Sequence, residues 1–201
     1  MAFQGRMIRK SGLLRNLAAQ AVIIVAFLSS GVAQAKDGVL WDIGLSYAIP
    51  SYPSNPDRSA ATAVAVDLGA FWSLAEGSRL GGAIHALADR YEYIEADTLT
   101  DVSVTLNQIL VGPSFRQSFG ADNHGFFVRA DAGMVLTSAS LTIDDVEYEA
   151  DGESGFGFLA RAGYGLTASG DFNIAPQVTF AGHSVGEDFN TSIEIGASFS
   201  F

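Results

Sequence analysis

The sequence predicts an all-β protein, an eight-stranded antiparallel up-and-down transmembrane β-barrel formed by residues 36–201. Three observations carry this expectation. Apolar and polar residues alternate with period two through successive segments, as they do in strands with two unlike faces. The connections alternate between short turns and long loops. The polar face is made of small residues with a few charges of both signs, and after residue 35 the chain contains one lysine, Lys36.

The first 35 residues are assigned to a secretory signal peptide. Arg6, Arg9, Lys10 and Arg15 form a basic start, Leu17 to Leu28 is a mainly apolar run, and Ala33-Gln34-Ala35 supplies a small-x-small cleavage pattern. A run of about a dozen residues is short of the roughly 20 that a spanning helix needs. Met7 is an alternative start to Met1. Beyond Ala35 no apolar run approaches 18 residues, which removes the helical-membrane class.

The composition excludes further classes. The chain of 201 residues carries Lys+Arg 11 against Asp+Glu 22, a formal charge of −11. Loss of the signal peptide would make it still more acidic. A nucleic-acid partner is therefore not expected, since phosphate neutralisation needs a basic surface. There is no cysteine, so an exported fold must be held by something other than disulfides.

The strands follow in order. In the first, Trp41, Ile43, Leu45 and Tyr47 oppose Asp42, Gly44 and Ser46; in the second, Val64, Val66, Leu68, Ala70 and Trp72 oppose Asp67, Gly69 and Ser73. Ala75-Glu76-Gly77-Ser78 makes a turn. The third strand, about Leu80 to Tyr93, and the fourth, about Val102 to Phe119, alternate less cleanly. Val102, Val104 and Leu106 keep one phase that is lost from Ile109 to Pro113, which predicts a bulge near Gln108 or Pro113.

The fifth strand sets Phe126, Val128, Ala130, Ala132, Met134 and Leu136 against Phe127, Arg129, Asp131, Gly133 and Val135. The sixth sets Phe156, Phe158, Ala160, Ala162, Tyr164 and Leu166 against Gly157, Leu159, Arg161, Gly163 and Gly165. After a tight Ser169-Gly170-Asp171 turn, the seventh alternates Phe172, Ile174, Pro176, Val178 and Phe180 with Asn173, Ala175, Gln177, Thr179 and Ala181. The eighth places Ile193, Ile195, Ala197, Phe199 and Phe201 opposite Ser192, Glu194, Gly196, Ser198 and Ser200. Segments 50–60, 91–101, 143–154 and 183–190 are expected to be the long loops.

Alternation alone does not say which face meets which solvent, because a soluble lipocalin-like barrel alternates too. A water-facing exterior would be rich in Lys and Glu. Pointing Arg129 or Arg161 at lipid would cost about 2–4 kcal/mol at the membrane mid-plane. The charged face therefore belongs inside, and by parity the lumen receives Asp42, Asp67, His85, Arg129, Asp131, Arg161, Gln177 and Glu194. Such charges must be paired, so the expectation is a salt-bridged plug, with a narrow channel as the alternative.

With its signal peptide, its eight alternating segments, a final strand ending on Phe201, and Gly152-Glu153-Ser154-Gly155-Phe156-Gly157-Phe158 leading into a Gly-rich strand, the chain resembles the small OmpA/OmpX-type outer-membrane barrels. The resemblance covers the whole of residues 36–201. It implies the cell outer membrane, contact with its lipid and lipopolysaccharide, and insertion by the barrel-assembly machinery, whose C-terminal signal would fall on Phe199 and Phe201. It also implies a structural or surface-interaction role in envelope integrity, adhesion or resistance, with an extracellular ligand left unnamed. In that family a peptidoglycan-binding domain, where present, follows the barrel, and none is expected here.

Asp144, Asp145, Glu147, Glu149, Asp151 and Glu153 form an acidic surface loop in which Val146, Tyr148 and Ala150 alternate, so the hairpin should extend above the membrane. Glu147-x-Glu149-x-Asp151-Gly152 resembles half of a calcium loop, but Phe158 occupies the position of the closing Glu. A solvated hairpin is the default, and cation bridging to lipopolysaccharide is an alternative. His183-Ser184, near Glu187 and Asp188, resembles the His and Ser set of the barrel enzymes that deacylate lipid A. In those enzymes the two lie two residues apart and share a face. Here they are adjacent and oppose each other, so no enzyme is expected. Gly155-x-Gly157-x-x-Ala160 has the letters of a dinucleotide fingerprint without its strand-to-helix context. His85 and His124 stand apart from metal-ligand spacing, and no metal or cofactor is expected.

Overall fold

A strand with one apolar and one polar face needs a different environment on each side, and a closed barrel supplies both. The computed structural model describes residues 38–51, 62–95, 100–120, 124–143, 146–150, 152–169, 172–186 and 188–201. The signal-peptide assignment, and Asp144, Asp145 and Asp151 of the acidic loop, lie outside them. The strands are β1 (Val39–Ser51), β2 (Thr62–Ala75), β3 (Ser78–Glu95), β4 (Thr100–Ser118), β5 (Gly125–Ile143), β6 (Val146–Ala150), β7 (Ser154–Ser169), β8 (Phe172–Val185) and β9 (Asp188–Ser200).

All pairings are antiparallel between sequence neighbours, except that β1 meets β9 and β5 meets both β6 and β7. The wall is an eight-stranded up-and-down barrel, with β6 an outer continuation of the line of β7. Closure is completed by the last residue, because Trp41 N donates to Phe201 O at 2.9 Å and Phe201 N donates to Trp41 O at 3.1 Å. A closed wall leaves no unpaired backbone facing lipid, which is the condition for crossing a bilayer with strands.

The outward positions are apolar and exposed around the wall, among them Leu45, Ile84, Val111, Met134, Val178 and Ile195. Aromatic residues collect at both ends of this belt. At the short-turn end, Phe119 stacks on Phe126 and Phe172 on Phe199, at 5.7 and 6.0 Å between ring centroids. At the other end Phe158 meets Phe180 and Phe189. Two aromatic girdles flanking an apolar band are the surface of a barrel standing in a membrane.

The structure corrects three expectations. No bulge occurs at Gln108 or Pro113, because neither the β3–β4 nor the β4–β5 register shifts there; the β5 pairing skips Gly112 and Pro113 and resumes in the same register. The register shifts lie at strand ends instead, at Ser73/Ala75 and Thr167/Ser169. In β4 the outward apolar phase is Ile109, Val111, Pro113 and Phe115, while Val102 and Leu110 are buried on the inner face. The apolar phase switches face because β4 leaves the membrane. Its upper outward positions Ser103, Thr105 and Asn107 are polar, and the apolar residues there turn inward.

The loops expected over 91–101 and 183–190 are also mostly strand. The β3–β4 hairpin is paired as far as Glu95↔Thr100, and β8 and β9 are paired to Val185↔Asp188. At that last turn Gly186 takes φ +61°, a left-handed conformation natural to glycine. The barrel is consequently lopsided. A spanning strand needs about 9–11 residues, whereas β4 and β5 have 19 each, so the β3–β6 side rises beyond the membrane as a four-stranded sheet.

The closed wall and belt predict a band on gels whose mobility shifts on boiling, with the protein recovered in the outer membrane on fractionation. Val178→Arg, in the middle of β8 facing lipid, is expected to destabilise the barrel by about 2–4 kcal/mol in urea unfolding from lipid vesicles.

Candidate functional site: the polar lumen

All eight residues assigned to the lumen by parity are buried: Asp42, Asp67, His85, Arg129, Asp131, Arg161, Gln177 and Glu194. At the centre, Arg129 forms a bidentate pair with Asp67, Nη1 to Oδ1 at 2.7 Å and Nη2 to Oδ2 at 3.1 Å. Its other edge donates to Asp131, from Nε at 2.9 Å and from Nη2 at 2.9 Å. A planar guanidinium with five donors can pair bidentately with two carboxylates at once, a geometry the compact ammonium does not offer.

Asp67 accepts a further hydrogen bond from Arg161 Nη1 at 2.8 Å, and Arg161 Nε donates to Thr179 Oγ1 at 3.0 Å. Arg116 Nη1 donates to Asp42 Oδ2 at 2.7 Å, and the same oxygen lies 3.6 Å from Arg129 Nη1. Ser114 donates to Asp131 and accepts from Arg129 Nε. Three arginines thus face three aspartates, leaving little net charge in the lumen centre. Glycines make the room: a Cβ at Gly69 would press on Phe71 and approach Arg129, and one at Gly44 would meet Gln177 and Asp67.

Toward the outer end the network continues through His85, whose Nε2 lies 3.1 Å from Glu194 Oε1 and whose Nδ1 lies 3.9 Å from Asp67. Neither contact has hydrogen-bond alignment. Ser192 donates to Glu194. Gln177 is buried beside this cluster with no partner for its amide. His183 Nδ1 meets Gln108 Oε1 at 2.6 Å.

Several lumen residues were not singled out from the sequence. Arg116, Ser114 and Gln108 sit on β4, where the expected bulge obscured the parity; the unbroken run from Ile109 to Phe115 was the available signal. Asp89 and Thr179 follow from stepping by two from His85 and Gln177. The lumen also holds large apolar groups. The Arg116 guanidinium lies 4.1 Å from the centre of the Phe127 ring, and that of Arg129 lies 5.1 Å from that of Phe71. Leu110 and Leu159 are buried as well. Cation–ring contact and paired carboxylates let the arginines sit away from water.

Glu147, Glu149 and Glu153 of the acidic segment stand above the belt. Glu147 and Glu149 share the outer face of the raised sheet with Thr142 and Ser140, their register partners. Glu153 is fixed through its backbone, its O accepting from Thr137 N and Oγ1 and its N donating to Thr137 Oγ1. A Cβ at Gly152 would lie 1.4 Å from Thr137 O, so only glycine fits there. His183 is buried in the lumen and Ser184 is exposed on the outside. Among the described residues no group of His, Cys, Asp and Glu is arranged to hold a metal ion.

Arg129→Ala strands Asp67 and Asp131 with less cationic compensation, and is expected to destabilise the barrel by about 3–5 kcal/mol in urea unfolding. Because Arg116, Phe71 and Phe127 fill the cross-section, the purified protein is expected to show no steady ohmic conductance in planar bilayers. Sustained conductance would mean that the side chains leave a continuous water path.

No protein-family model and no curated protein sequence matches the chain. Solved structures do. The crystal structure of Ail, the attachment invasion locus protein of Yersinia pestis, is similar with a TM-score of 0.52 and 12% identity, over 82% of this chain and 99% of that one. The same protein in complex with the heparin analogue sucrose octasulfate is similar with a TM-score of 0.53 and 12% identity, over 81% of this chain and 97% of that one. The chain has the fold of the small eight-stranded outer-membrane β-barrels.

Proposed function

We propose that the protein is an integral outer-membrane barrel that works by contact at the cell surface, through the sheet raised above the membrane on the β3–β6 side. The observation that carries this is β6. Among the described residues it pairs only with β5, so its other edge offers backbone donors and acceptors to a partner strand. Tyr148 shares one face with its partner Leu141, and Glu147 and Glu149 share the other, so an incoming strand would meet two chemically different sides.

The acidic character of this rim bears on the kind of partner. The Ail structure holds a heparin analogue, a polyanion. Here Glu147, Glu149, Glu153 and Asp188 crown the outer end, which favours a basic or neutral partner. A catalytic role is not part of this reading, because His183 and Ser184 occupy opposite faces of β8 and cannot exchange a proton directly. Phe199 and Phe201 fit a role as the C-terminal mark read during assembly, since they end the strand that closes the wall.

Deleting residues 144–151 is expected to lower adherence of cells displaying the protein to a panel of immobilised proteins several-fold, with the boiling-dependent mobility shift retained. Equal adherence of both cell types would assign the barrel a purely structural role in the envelope.

A further inference from the structure

We propose that the outer mouth of the barrel is a binding site for a small organic cation bearing primary amines, of the linear polyamine or lysine side-chain type. The site is a cavity of about 310 Å³ between β4, β5, the start of β7 and the β8–β9 hairpin, a volume at the lower end of small-molecule sites. It is separate from the free edge of β6 and does not depend on the role given to that edge.

The lining decides the charge. Among the described residues, its only formally charged side chains are Glu153 and Asp188, both acidic; Gln108, Thr137 and Asn190 are neutral. The Glu153 carboxylate lies against Gly186 at the cavity rim, where an added Cβ would collide with its Oε2. Its backbone is bonded to Thr137 on the neighbouring strand β5.

The unsatisfied atoms point the same way. Asn190 Oδ1 is buried without a hydrogen-bond partner. His183 is almost wholly buried beside it, as its register partner on the neighbouring strand. Its Nδ1 faces Gln108 Oε1, which can only accept, so in the neutral ring Nδ1 carries the hydrogen and Nε2 is left as an acceptor. That Nε2 also lacks a partner. Of these two acceptors without donors, Asn190 Oδ1 belongs to the cavity lining with the two carboxylates, and it calls for a donor-rich cation. Leu106, Ala139 and Val185 complete the lining with apolar surface suited to methylene groups. A bare metal ion fits less well, since the two carboxylates stand on separate strands and no cation-holding cluster exists among the described residues.

The test is calorimetric titration of the refolded full barrel in detergent with spermidine, and in a parallel arm with a short oligolysine peptide, at low ionic strength. Saturable one-to-one binding of spermidine is expected, weakened about tenfold or more by Glu153→Gln combined with Asp188→Asn. The pair Glu147→Gln and Glu149→Gln, on the outer face of the sheet, should leave binding unchanged. Tighter binding of oligolysine than of spermidine would also support the site and assign its natural ligand to a protein side chain. Asn190→Ala, which changes no charge, should weaken binding too and serves if the acidic double variant fails to show the boiling-dependent shift. Absence of saturation, equal loss in the Glu147 and Glu149 variant, or one-to-one displacement of spermidine by calcium would overturn the proposal.

Discussion

The bidentate contact between Arg129 and Asp67 is the interaction on which the rest of this barrel depends. Around it, Asp42 of β1, His85 of β3, Ser114 and Arg116 of β4, Asp131 of β5, Arg161 of β7, Thr179 of β8 and Glu194 of β9 are linked by contacts of ordinary ion-pair and hydrogen-bond length. Every one of the eight wall strands contributes. Backbone bonds close the wall locally, strand to neighbour, but this network ties strands that are not neighbours. A lumen of charges removed from water is tolerable only when every charge has a counterpart, so the network also constrains the order in which the strands stand.

That constraint explains the division of residue types. Lipid takes the apolar side chains that would fill the core of a soluble protein, and the interior takes the charges that would cover its surface. The inversion holds only within the membrane. Where β4 and β5 rise beyond it, water lies outside, and Ser103, Thr105 and Asn107 face outward while Val102 is buried within. One strand thus reverses its pattern along its length without a change of register, because the solvent on its outer side changes.

The two ends of the barrel differ for a related reason. The short-turn end is finished by aromatic pairs and by the Trp41–Phe201 backbone bonds, and offers little besides closure. The outer end is uneven, high at β4 and β5 and low at the β8–β9 turn. That difference in height opens the cavity beside Gln108 and, among the described residues, leaves one edge of β6 unpaired. On the opposite wall Ala48, Ala63, Ala65 and Leu87 pack together beside the buried Asp89.

Architecture and sidedness are legible in the residue pattern alone. Period-two alternation is a local property, and the near absence of lysine after residue 35 is compositional, so both survive without coordinates. Parity alone sends Asp42, Asp67, Arg129 and Glu194 to one face. Which of them meet was decided by tertiary structure, since Asp67 and Arg161 approach only when β2 and β7 stand across one lumen. The same holds for Arg116, whose strand carries an inward Leu110 and an apolar phase that switches face above the membrane, and for the mouth cavity, which exists because strands of unequal length end side by side. Local patterns record which solvent each side chain meets; strand height, shear and cross-lumen distance are properties of the closed wall and leave no mark within a single strand.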